Sequence, residues 1–318
     1  MAPLITVIVP CYNEQESLPL FYDKIREVLS GTVNNKTIDY ELLFVDDGSK
    51  DKTWEIINNL AQQDDCVRGL KFSRNFGKEG AIFAGLKACR GDSAVVIDCD
   101  LQHPPEIILE MLALREQGYE VVEAVKASRG KEGFVYKTFA KTFYRLMKNS
   151  ADVNLDRASD FKLMDRKVID ALNEMPERLT FFRALSSWVG FKTTQVEFNV
   201  APRNAGTTKW NFKKLAKFAI NNITSFTNLP LQLITGMGIV FFIIAVVFGI
   251  NTLVQYFGGA SAEGFPTVIL LILITGSFIM IGLGIIGYYM AKIYEEIKFR
   301  PRYIVSIDTN PDKDSENK

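Results

Sequence analysis

Two carboxylates follow a short apolar run in the first half of the chain. Residues 95–97 (VVI) lead directly into Asp98 and Asp100, and Gln102 follows at the same spacing. Side chains alternate with a period of two along a strand, so an extended chain would place these three polar groups on one side. Two close carboxylates repel each other unless a cation lies between them, and oxygen ligands of this kind suit Mg²⁺ or Mn²⁺ beside a substrate phosphate. The spacing indicates a metal site, with strand-end solvation or capping of the next helix as the alternative.

Strand and helix patterns alternate along residues 4–200, which sets the elements that must position these carboxylates. The predicted strands cover residues 5–10, 40–49, 67–72, 94–97 and 119–125, and the predicted helices cover 14–29, 53–61, 80–88 and 105–116. This order predicts a mostly parallel α/β sheet flanked by helices. Sheets of this type bind ligands at the carboxyl ends of their strands.

Polar residues follow four of the predicted strands at the end where a ligand would bind. They are Pro10, Tyr12 and Glu14 after the first strand, Asp46 and Asp47 in the second, Asp98 and Asp100 after the fourth, and Lys126 and Arg129 after the fifth. Three acidic ends and one basic end predict a site for a metal-bound phosphate ligand. The chain lacks G-x-x-x-x-G-K-[ST], and no G-x-G-x-x-G follows the first strand, so nothing supports P-loop chemistry or that type of dinucleotide fold.

Composition narrows the class of protein further. The 318 residues contain 37 Lys and Arg against 37 Asp and Glu, which argues against bulk attraction to nucleic acid. Four cysteines without a C-x-x-C pair fit reduced thiols in a cytosolic compartment, and the single histidine excludes a multi-histidine zinc site. The chain begins with a strand-like run, so no signal peptide is predicted.

Two long segments near the C-terminus carry no charge. Residues 218–262 and 264–291 contain no Lys, Arg, Asp or Glu. A spanning helix needs about 20 mainly apolar residues, so we predict two transmembrane helices, at about 231–256 and 266–290. A helical hairpin buried in a soluble core is the alternative.

Basic residues flank the predicted spans on one side only. They lie before the first span (Lys209, Lys213, Lys214, Lys217) and after the second (Lys292, Lys298, Arg300, Arg302), and the connecting loop has none. By the positive-inside rule we expect a multi-pass protein of the cell membrane with both termini and the catalytic domain in the cytoplasm. Glycines in the spans permit helix association and so a homo-oligomer.

The segment 209–226 (KWNFKKLAKFAINNITSF) interleaves aromatic residues with lysines. This pattern predicts a helix in the membrane interface, with an ordinary amphipathic helix of a soluble domain as the alternative. The predicted domains are therefore a catalytic domain over 1–205, interfacial helices over 206–228, two transmembrane helices over 229–292 and a cytoplasmic tail over 293–318.

Several ordered motifs together resemble a known family. VIVPCYNE, FVDDGSKDKT, SRNFGKEGA, DCDLQHPPE and DFKLMDR resemble family 2 glycosyltransferases of the GT-A fold. The runs FFRALSSWVGF and APRNAGTTKWNFKKL, the two spans and the closing YEEIKFRPRYIV resemble its polyprenyl-phosphate branch, which includes dolichol-phosphate mannose synthases and bactoprenol glucosyltransferases. The resemblance covers about residues 4–305.

The resemblance implies roles for the strand-end residues. The residues implied for the nucleoside are Pro10, Tyr12, Glu14, Asp46 and Asp47. Asp98 would lie near the ribose and the metal, and Asp100 and Gln102 would bind the metal. The phosphates would be bound by Lys126, Arg129, Arg203 and Lys209, and Asp160 would lie near the sugar. The family usually has Arg where this chain has Lys126, and Gly is common where it has Ser159. A salt bridge from Asp160 to Lys162 or Arg166 is the alternative to a role at the sugar.

The implied reaction is inverting transfer of glucose from UDP-glucose to undecaprenyl phosphate, with Mg²⁺ or Mn²⁺. Mannose, N-acetylglucosamine and aminoarabinose donors also occur among relatives. A processive polysaccharide synthase on the same fold is a second alternative, although Q-x-x-R-W is absent and two spans look too few for a polysaccharide channel. A non-catalytic membrane protein that binds sugar nucleotide is the third.

Overall fold

The structure is a computed structural model that describes residues 4–33, 36–127, 159–175, 177, 181–199, 229–258 and 264–310. The described residues form two compact units. One unit contains the described residues up to 199 together with 300–310, and the other contains residues 229–299.

A mixed sheet is the centre of the first unit. Its strands are β1 (Leu4–Cys11), β4 (Asp39–Asp46), β5 (Val67–Phe72), β6 (Ser93–Val96), β7 (Val121–Lys126), β8 (Lys162–Asp165), β9 (Thr193–Phe198) and β10 (Val305–Asp308). A separate hairpin pairs β2 (Thr32–Val33) with β3 (Lys36–Thr37). The order across the sheet is β10-β5-β4-β1-β6-β8-β7-β9. Only β8 and β10 run antiparallel to their neighbours within the described residues.

Within the described part of the chain, six helices accompany this sheet. They are α1 (Leu18–Leu29), α2 (Thr53–Gln63), α3 (Lys78–Ala88), α4 (Ile107–Glu116), α5 (Arg166–Glu174) and α6 (Phe182–Trp188). Helix α1 buries Leu18, Phe21 and Ile25, which recur at helical spacing. Helix α3 lies so close to β1 that a Cβ on Gly85 would stand 2.3 Å from the Ile8 side chain. This close approach fixes the N-terminus of α3 near the carboxyl end of β1.

The predicted strands of the parallel half are present with boundaries shifted by a few residues. Helix α1 begins at Leu18 rather than at residue 14, and α3 begins at Lys78 rather than at residue 80. Strands β8, β9 and β10 were not predicted. Strand β8 has four residues and β10 pairs with a strand more than 200 residues away, so neither has a strong local pattern.

The chain does not stay extended from Asp98 to Gln102, which was the condition for these side chains to share one side. Strand β6 ends at Val96, and Leu101 adopts a φ of 57°, in the left-handed region. The Asp100 carboxylate accepts a hydrogen bond of 3.1 Å from the backbone N–H of Gln102, as in an Asx turn. The local turn therefore replaces the strand geometry that would have aligned the three side chains.

The last described residues belong to the sheet rather than to a free tail. Strand β10 pairs antiparallel with β5, and the Arg68 guanidinium forms two hydrogen bonds, of 3.0 and 2.6 Å, to Asp308. The Tyr303 ring stacks on Phe72 at 5.3 Å. Arg68 is almost fully buried, so its charge requires this partner.

The second unit consists of two long apolar helices, α7 (Leu229–Phe257) and α8 (Phe265–Ile297). Their most apolar parts have mean hydropathies of 2.7 and 2.1 and are almost entirely exposed. The Phe241 and Phe278 rings lie 4.4 Å apart, so the helices contact each other. The predicted pair of spans is confirmed as two helices long and apolar enough to cross a membrane.

Candidate active site

A cavity of about 340 Å³ opens at the carboxyl ends of β1 and β6 beside the N-terminus of α3. Its wall contains Pro10, Cys11, Tyr12, Glu14, Asp47, Asn75, Gly77, Lys78, Ala81, Asp98, Cys99 and Asp100. Half of these twelve residues were predicted from the sequence to lie at a ligand-binding edge. Parallel strands end at the same edge of a sheet, which explains why residues so far apart in the chain meet here.

Three carboxylates of the cavity, Glu14, Asp98 and Asp100, face the same space. Burial raises the pKa of Glu14, and the charges of Asp100 and Asp98 raise it further, although a hydrogen bond from Ser17 opposes the shift. Mutual repulsion of this kind indicates a site with an excess of negative charge. A cation that enters the cavity would relieve it.

The donor set fits a hard divalent cation. Carboxylate oxygens suit Mg²⁺ and Mn²⁺, which commonly bind one or two carboxylates together with substrate phosphates and water. Among the described residues no group of three or more His, Cys, Asp or Glu side chains is arranged so that it could hold a metal ion without further ligands. Asp98 is already engaged by Lys78. The roles of Asp98 and Asp100 as metal ligands stay predictions.

Asp46 is the last residue of strand β4 and Asp47 follows it, and their carboxylates make different hydrogen bonds. Asp46 is fully buried and accepts from the Ser49 N–H through Oδ1, while its Oδ2 has no hydrogen-bond partner within the described residues. Asp47 accepts from the backbone N–H groups of Phe76 and Gly77 at 2.6 and 2.9 Å. Burial raises the pKa of both carboxyls. Asp47 therefore holds the loop before α3. Asp46 is not part of the cavity wall, and its role at the nucleoside stays a prediction.

The loops after β1 and β4 interlock through Asn13. Its backbone N–H donates to Ser49 Oγ and its Oδ1 accepts from the Lys50 N–H, both at 2.9 Å. Asn13 has a φ of 57°, which Asn tolerates better than most residues. This interlock places Tyr12 and Glu14 in the cavity wall.

Lys78, which was not predicted as a site residue, joins the two acidic groups of the site. Its Nζ lies 2.6 Å from Asp98 Oδ1 and 2.9 Å from Asp160 Oδ2. Burial lowers the pKa of Lys78, but the charges of Asp98 and Asp160 outweigh it and the pKa is raised. The motif SRNFGKEGA contains this lysine, and a lysine at the first position of a helix was the signal that could have found it.

Asp160 is held by two cations rather than by the partners considered from the sequence. The Arg183 guanidinium donates to its two oxygens at 2.7 and 2.8 Å, and Lys78 donates at 2.9 Å. Burial raises the pKa of Asp160, but the Arg183 hydrogen bonds and the Lys78 charge outweigh it and hold the pKa well below its usual range. The alternative of a salt bridge to Lys162 or Arg166 is wrong, because these pair with Glu123 and Asp170.

Ser159 and His103 lie near the site, although the sequence analysis gave neither of them a role in it. Ser159, which stands where Gly is common, accepts from the Phe161 N–H at 3.1 Å and so stabilises the turn that carries Asp160. His103 is buried against Phe161 and Phe198, with Nδ1 3.9 Å from Asp98. Burial lowers the pKa of His103.

The remaining predicted residues lie at the rim of the site or outside the described residues. Lys126 is exposed at the end of β7, and its charge contributes to the lowered pKa of His103. Gln102 lies within the described residues, and its role as a metal ligand stays a prediction. Arg129, Arg203 and Lys209, together with the predicted interfacial helices over 206–228, lie outside the described residues.

Comparisons with known proteins agree with this geometry. The model of the family described as Glycosyl transferase family 2 matches residues 6–172. That segment contains the strand ends and turns that carry Glu14, Asp46, Asp98, Asp100 and Asp160. A solved mycobacterial protein superposes with a TM-score of 0.50 and 20% identity, over 70% of this chain and 75% of its own, which supports the fold alone.

Two curated relatives match nearly the whole chain. The uncharacterized glycosyltransferase YkcC of Bacillus subtilis (strain 168) is 41% identical over 302 residues, 94% of this chain and 92% of its own length. The prophage bactoprenol glucosyl transferase homolog of Escherichia coli (strain K12) is 40% identical over 306 residues, 95% of this chain and 98% of its own length. The fold, the acidic cavity at the strand ends and these matches agree that the chain belongs to glycosyl transferase family 2 and is a GT-A glycosyltransferase related to the bactoprenol glucosyl transferases.

Proposed function

We propose that the enzyme transfers glucose from UDP-glucose to a polyprenyl phosphate, with inversion at the anomeric carbon, and releases UDP. The observation that carries the proposal is the cavity in which Glu14, Asp98 and Asp100 face one space while Lys78 joins Asp98 to Asp160. An excess of carboxylates beside a fixed ammonium suits a diphosphate that arrives with a divalent cation. Relatives named bactoprenol glucosyl transferase support glucose and a polyprenyl acceptor.

The donor nucleoside would bind at the ends of β1 and β4. Asp46 offers the buried Oδ2 that has no hydrogen-bond partner within the described residues, and a base N–H is a suitable donor to it. Pro10, Tyr12 and Glu14 form the neighbouring wall of the cavity. Tyr12 is 43% exposed and offers an aromatic face to a base or ribose.

The diphosphate would lie between Asp100 and the basic residues. A divalent cation on Asp100 supplies neutralisation of the charge that develops on the departing diphosphate. Arg203 and Lys209 add fixed positive charge to the same group, and Lys126 and Arg129 act at its rim. Asp98 is paired with Lys78 and would face the ribose.

The acceptor phosphate would attack without a strong general base. Its second pKa is about 6, so at pH 7 it is largely an oxyanion and already a nucleophile. Asp160 has a lowered pKa, which makes it a poor base and a good permanent anion. We therefore assign Asp160 to orientation of the sugar hydroxyls and to stabilisation of positive charge near the anomeric carbon.

The apolar helices give a reason for the lipid acceptor. A polyprenyl chain stays in the bilayer, so the enzyme must reach the phosphate at the membrane surface. Helices α7 and α8 are long and apolar enough to anchor it there. We propose an enzyme of the cell membrane whose catalytic domain and termini lie in the cytoplasm, where sugar nucleotides are made.

A donor and acceptor panel tests the reaction. Membranes that contain the full-length protein are incubated with labelled UDP-glucose, GDP-mannose or UDP-N-acetylglucosamine, with and without undecaprenyl phosphate. We expect label in the lipid fraction with UDP-glucose only when the acceptor and Mg²⁺ or Mn²⁺ are present. Transfer from another donor would correct the sugar. Binding of UDP without transfer from any donor would support the non-catalytic alternative.

Cysteine labelling tests the membrane orientation. In a cysteine-free background, Ser261→Cys in the connecting loop should react with an impermeant thiol reagent added to intact cells. Ser315→Cys in the C-terminal segment should react only after the cells are opened. The reverse pattern would contradict the cytoplasmic catalytic domain and the use of cytosolic donors.

A further inference from the structure

Two neighbouring sets of polar contacts join Asp160 and strand β8 to helix α6. We call them the outer and inner rungs of a polar ladder. In the outer rung, Asp160 accepts two hydrogen bonds from Arg183, at 2.7 and 2.8 Å. In the inner rung, Lys162 donates to Ser186 Oγ at 2.7 Å. Residues two apart share a side of an extended chain, and residues three apart share a face of a helix. The two rungs therefore lie side by side.

The inner rung is completely buried. Lys162 has no exposed surface, and its ammonium also lies 2.7 Å from Glu123 on β7 and 5.2 Å from the centre of the Phe182 ring. Buried ion pairs are seldom more stabilising than apolar side chains of the same volume, because both charges lose their hydration. Stability alone is therefore a weak reason for a lysine at this position.

The inner rung controls the outer one through the backbone of α6. The Ser186 hydroxyl accepts from Lys162 and donates to the Arg183 carbonyl oxygen at 3.2 Å. Successive residues of a helix are about 100° apart around its axis, so a small rotation of α6 would turn the Arg183 guanidinium away from Asp160. A second support comes from α3, where Glu79 Oε2 accepts from the Phe182 N–H at 2.8 Å.

We propose that Lys162 and Ser186 are positioning residues for the glycosyl transfer: they fix the rotation of α6 so that Arg183 holds the Asp160 carboxylate in one orientation. The inference rests on the proposed role of Asp160 at the sugar. It assigns a function to Lys162 and Ser186, which are buried and are not part of the cavity wall.

Ser186→Ala is the mild test of the ladder. It removes the link to α6 but leaves Lys162 paired with Glu123, whereas Lys162→Met would leave a carboxylate buried without its partner. Ser187→Ala makes the same change on the partly exposed neighbouring position of α6 and is the matched control. Transfer from UDP-glucose to undecaprenyl phosphate is measured in membranes that contain the full-length variants, together with the apparent Tm.

We expect Ser186→Ala to lower kcat about tenfold while the KM for UDP-glucose stays within about twofold, because the residues at the ends of β1, β4 and β6 are unchanged; a tenfold loss is about 1.4 kcal/mol. Ser187→Ala should match the wild type, and Ser186→Thr, which keeps the hydroxyl, should recover most of the lost rate. Partial unfolding would also lower the apparent kcat without a change in KM, because it lowers the amount of active enzyme. An apparent Tm of Ser186→Ala equal to that of the wild type therefore separates the positioning role from a loss of folded protein.

Asp160→Asn in the same assay separates the two levels of the inference. If Asp160→Asn is inactive and Ser186→Ala has the wild-type kcat, the positioning role is overturned and the role of Asp160 stands. Equal losses in Ser186→Ala and Ser187→Ala would also overturn it. Full activity of Asp160→Asn would overturn the proposed role of Asp160 and, with it, the positioning role.

Discussion

The pKa values of the acidic groups shift in opposite directions in the parallel half of the sheet and beside the antiparallel strand β8. At the ends of the parallel strands β1 and β4, burial raises the pKa of Glu14, Asp46 and Asp47, and the charges of Asp98 and Asp100 add to the shift at Glu14. Beside the antiparallel strand β8, Arg183 and Lys78 hold the pKa of Asp160 below its usual range. Burial therefore disfavours the anionic form of the carboxyls at β1 and β4, whereas two cations favour the anionic form of Asp160.

This difference teaches how one site can treat two parts of a substrate differently. The part of a site that binds a metal-bound diphosphate benefits from carboxylates that a cation can still neutralise. The part that orients neutral sugar hydroxyls benefits from an anion whose charge and direction are already fixed. Lys78 belongs to both halves, because it contacts Asp98 and Asp160 at the same time.

The largest effect should follow from removal of the Asp100 carboxylate, which we propose holds the metal. We expect Asp100→Asn to lower transfer at least about 1,000-fold, or about 4 kcal/mol in the transition state. Addition of EDTA to the wild type should abolish transfer, and Asp23→Asn, on the exposed face of α1, should leave it unchanged. Radiolabel transfer and circular dichroism check activity and folding. Metal-dependent turnover near the wild-type rate in Asp100→Asn would contradict the role of Asp100 as a metal ligand.

The next largest effect should follow from loss of the residue shared by both halves. We expect Lys78→Met to lower transfer about 100-fold, or about 2.7 kcal/mol, because Asp98 and Asp160 both lose a charge-assisted hydrogen bond. Lys87→Met, an exposed position near the end of the same helix, is the matched control. Steady-state rates with UDP-glucose measure the difference. Equal rates in the two variants would mean that Lys78 has only a structural role.

A smaller effect should appear in the pH dependence of stability. Burial raises the pKa of Glu79 from its usual 4.5 to about 7, and the Asp160 charge adds to the shift. Because the folded pKa is the higher one, the native state binds more protons than the unfolded chain between about pH 4.5 and 7, so stability falls as the pH rises through that window. We expect Glu79→Gln to remove this fall, which is at most about 3 kcal/mol.

The Glu79 prediction is measured as the apparent Tm between pH 4.5 and 8 without metal or donor. A glutamine oxygen can still accept from the Phe182 N–H, so the hydrogen bond to α6 is retained. The Tm of the wild type should fall more steeply with pH than that of Glu79→Gln. Parallel curves would show that Glu79 titrates alike in the folded and unfolded chains.

The smallest effect should follow at the rim of the site. Lys126→Arg restores the residue usual in the family and should change transfer by less than about twofold, because Lys126 is exposed and a guanidinium keeps the charge. Lys126→Ala should lower the rate more than this and raise the KM for UDP-glucose. A larger loss in Lys126→Arg than in Lys126→Ala would exclude a phosphate contact at this position.

Much of the parallel half and its site followed from the sequence because its signals are local. Apolar runs that end in polar residues predicted β1, β4 and β6, and the edge where their ends meet followed from parallel order. The cavity wall contains Pro10, Tyr12, Glu14, Asp47, Asp98 and Asp100, all predicted as site residues. The antiparallel half was not predicted in the same way, because β8 has four residues and its partners are distant in the chain.

The sequence by itself determined the family, the acidic strand ends and the two apolar helices, since motifs, alternation and hydropathy are properties of neighbouring residues. Only the tertiary structure decided which cation meets which carboxylate. Lys78 and Arg183 reach Asp160 from positions 82 and 23 residues away, and Lys162 turns from Asp160 towards Glu123 and Ser186. Such pairs form because folding brings distant charges into a region poor in water, where each needs a partner, and no local pattern encodes that choice.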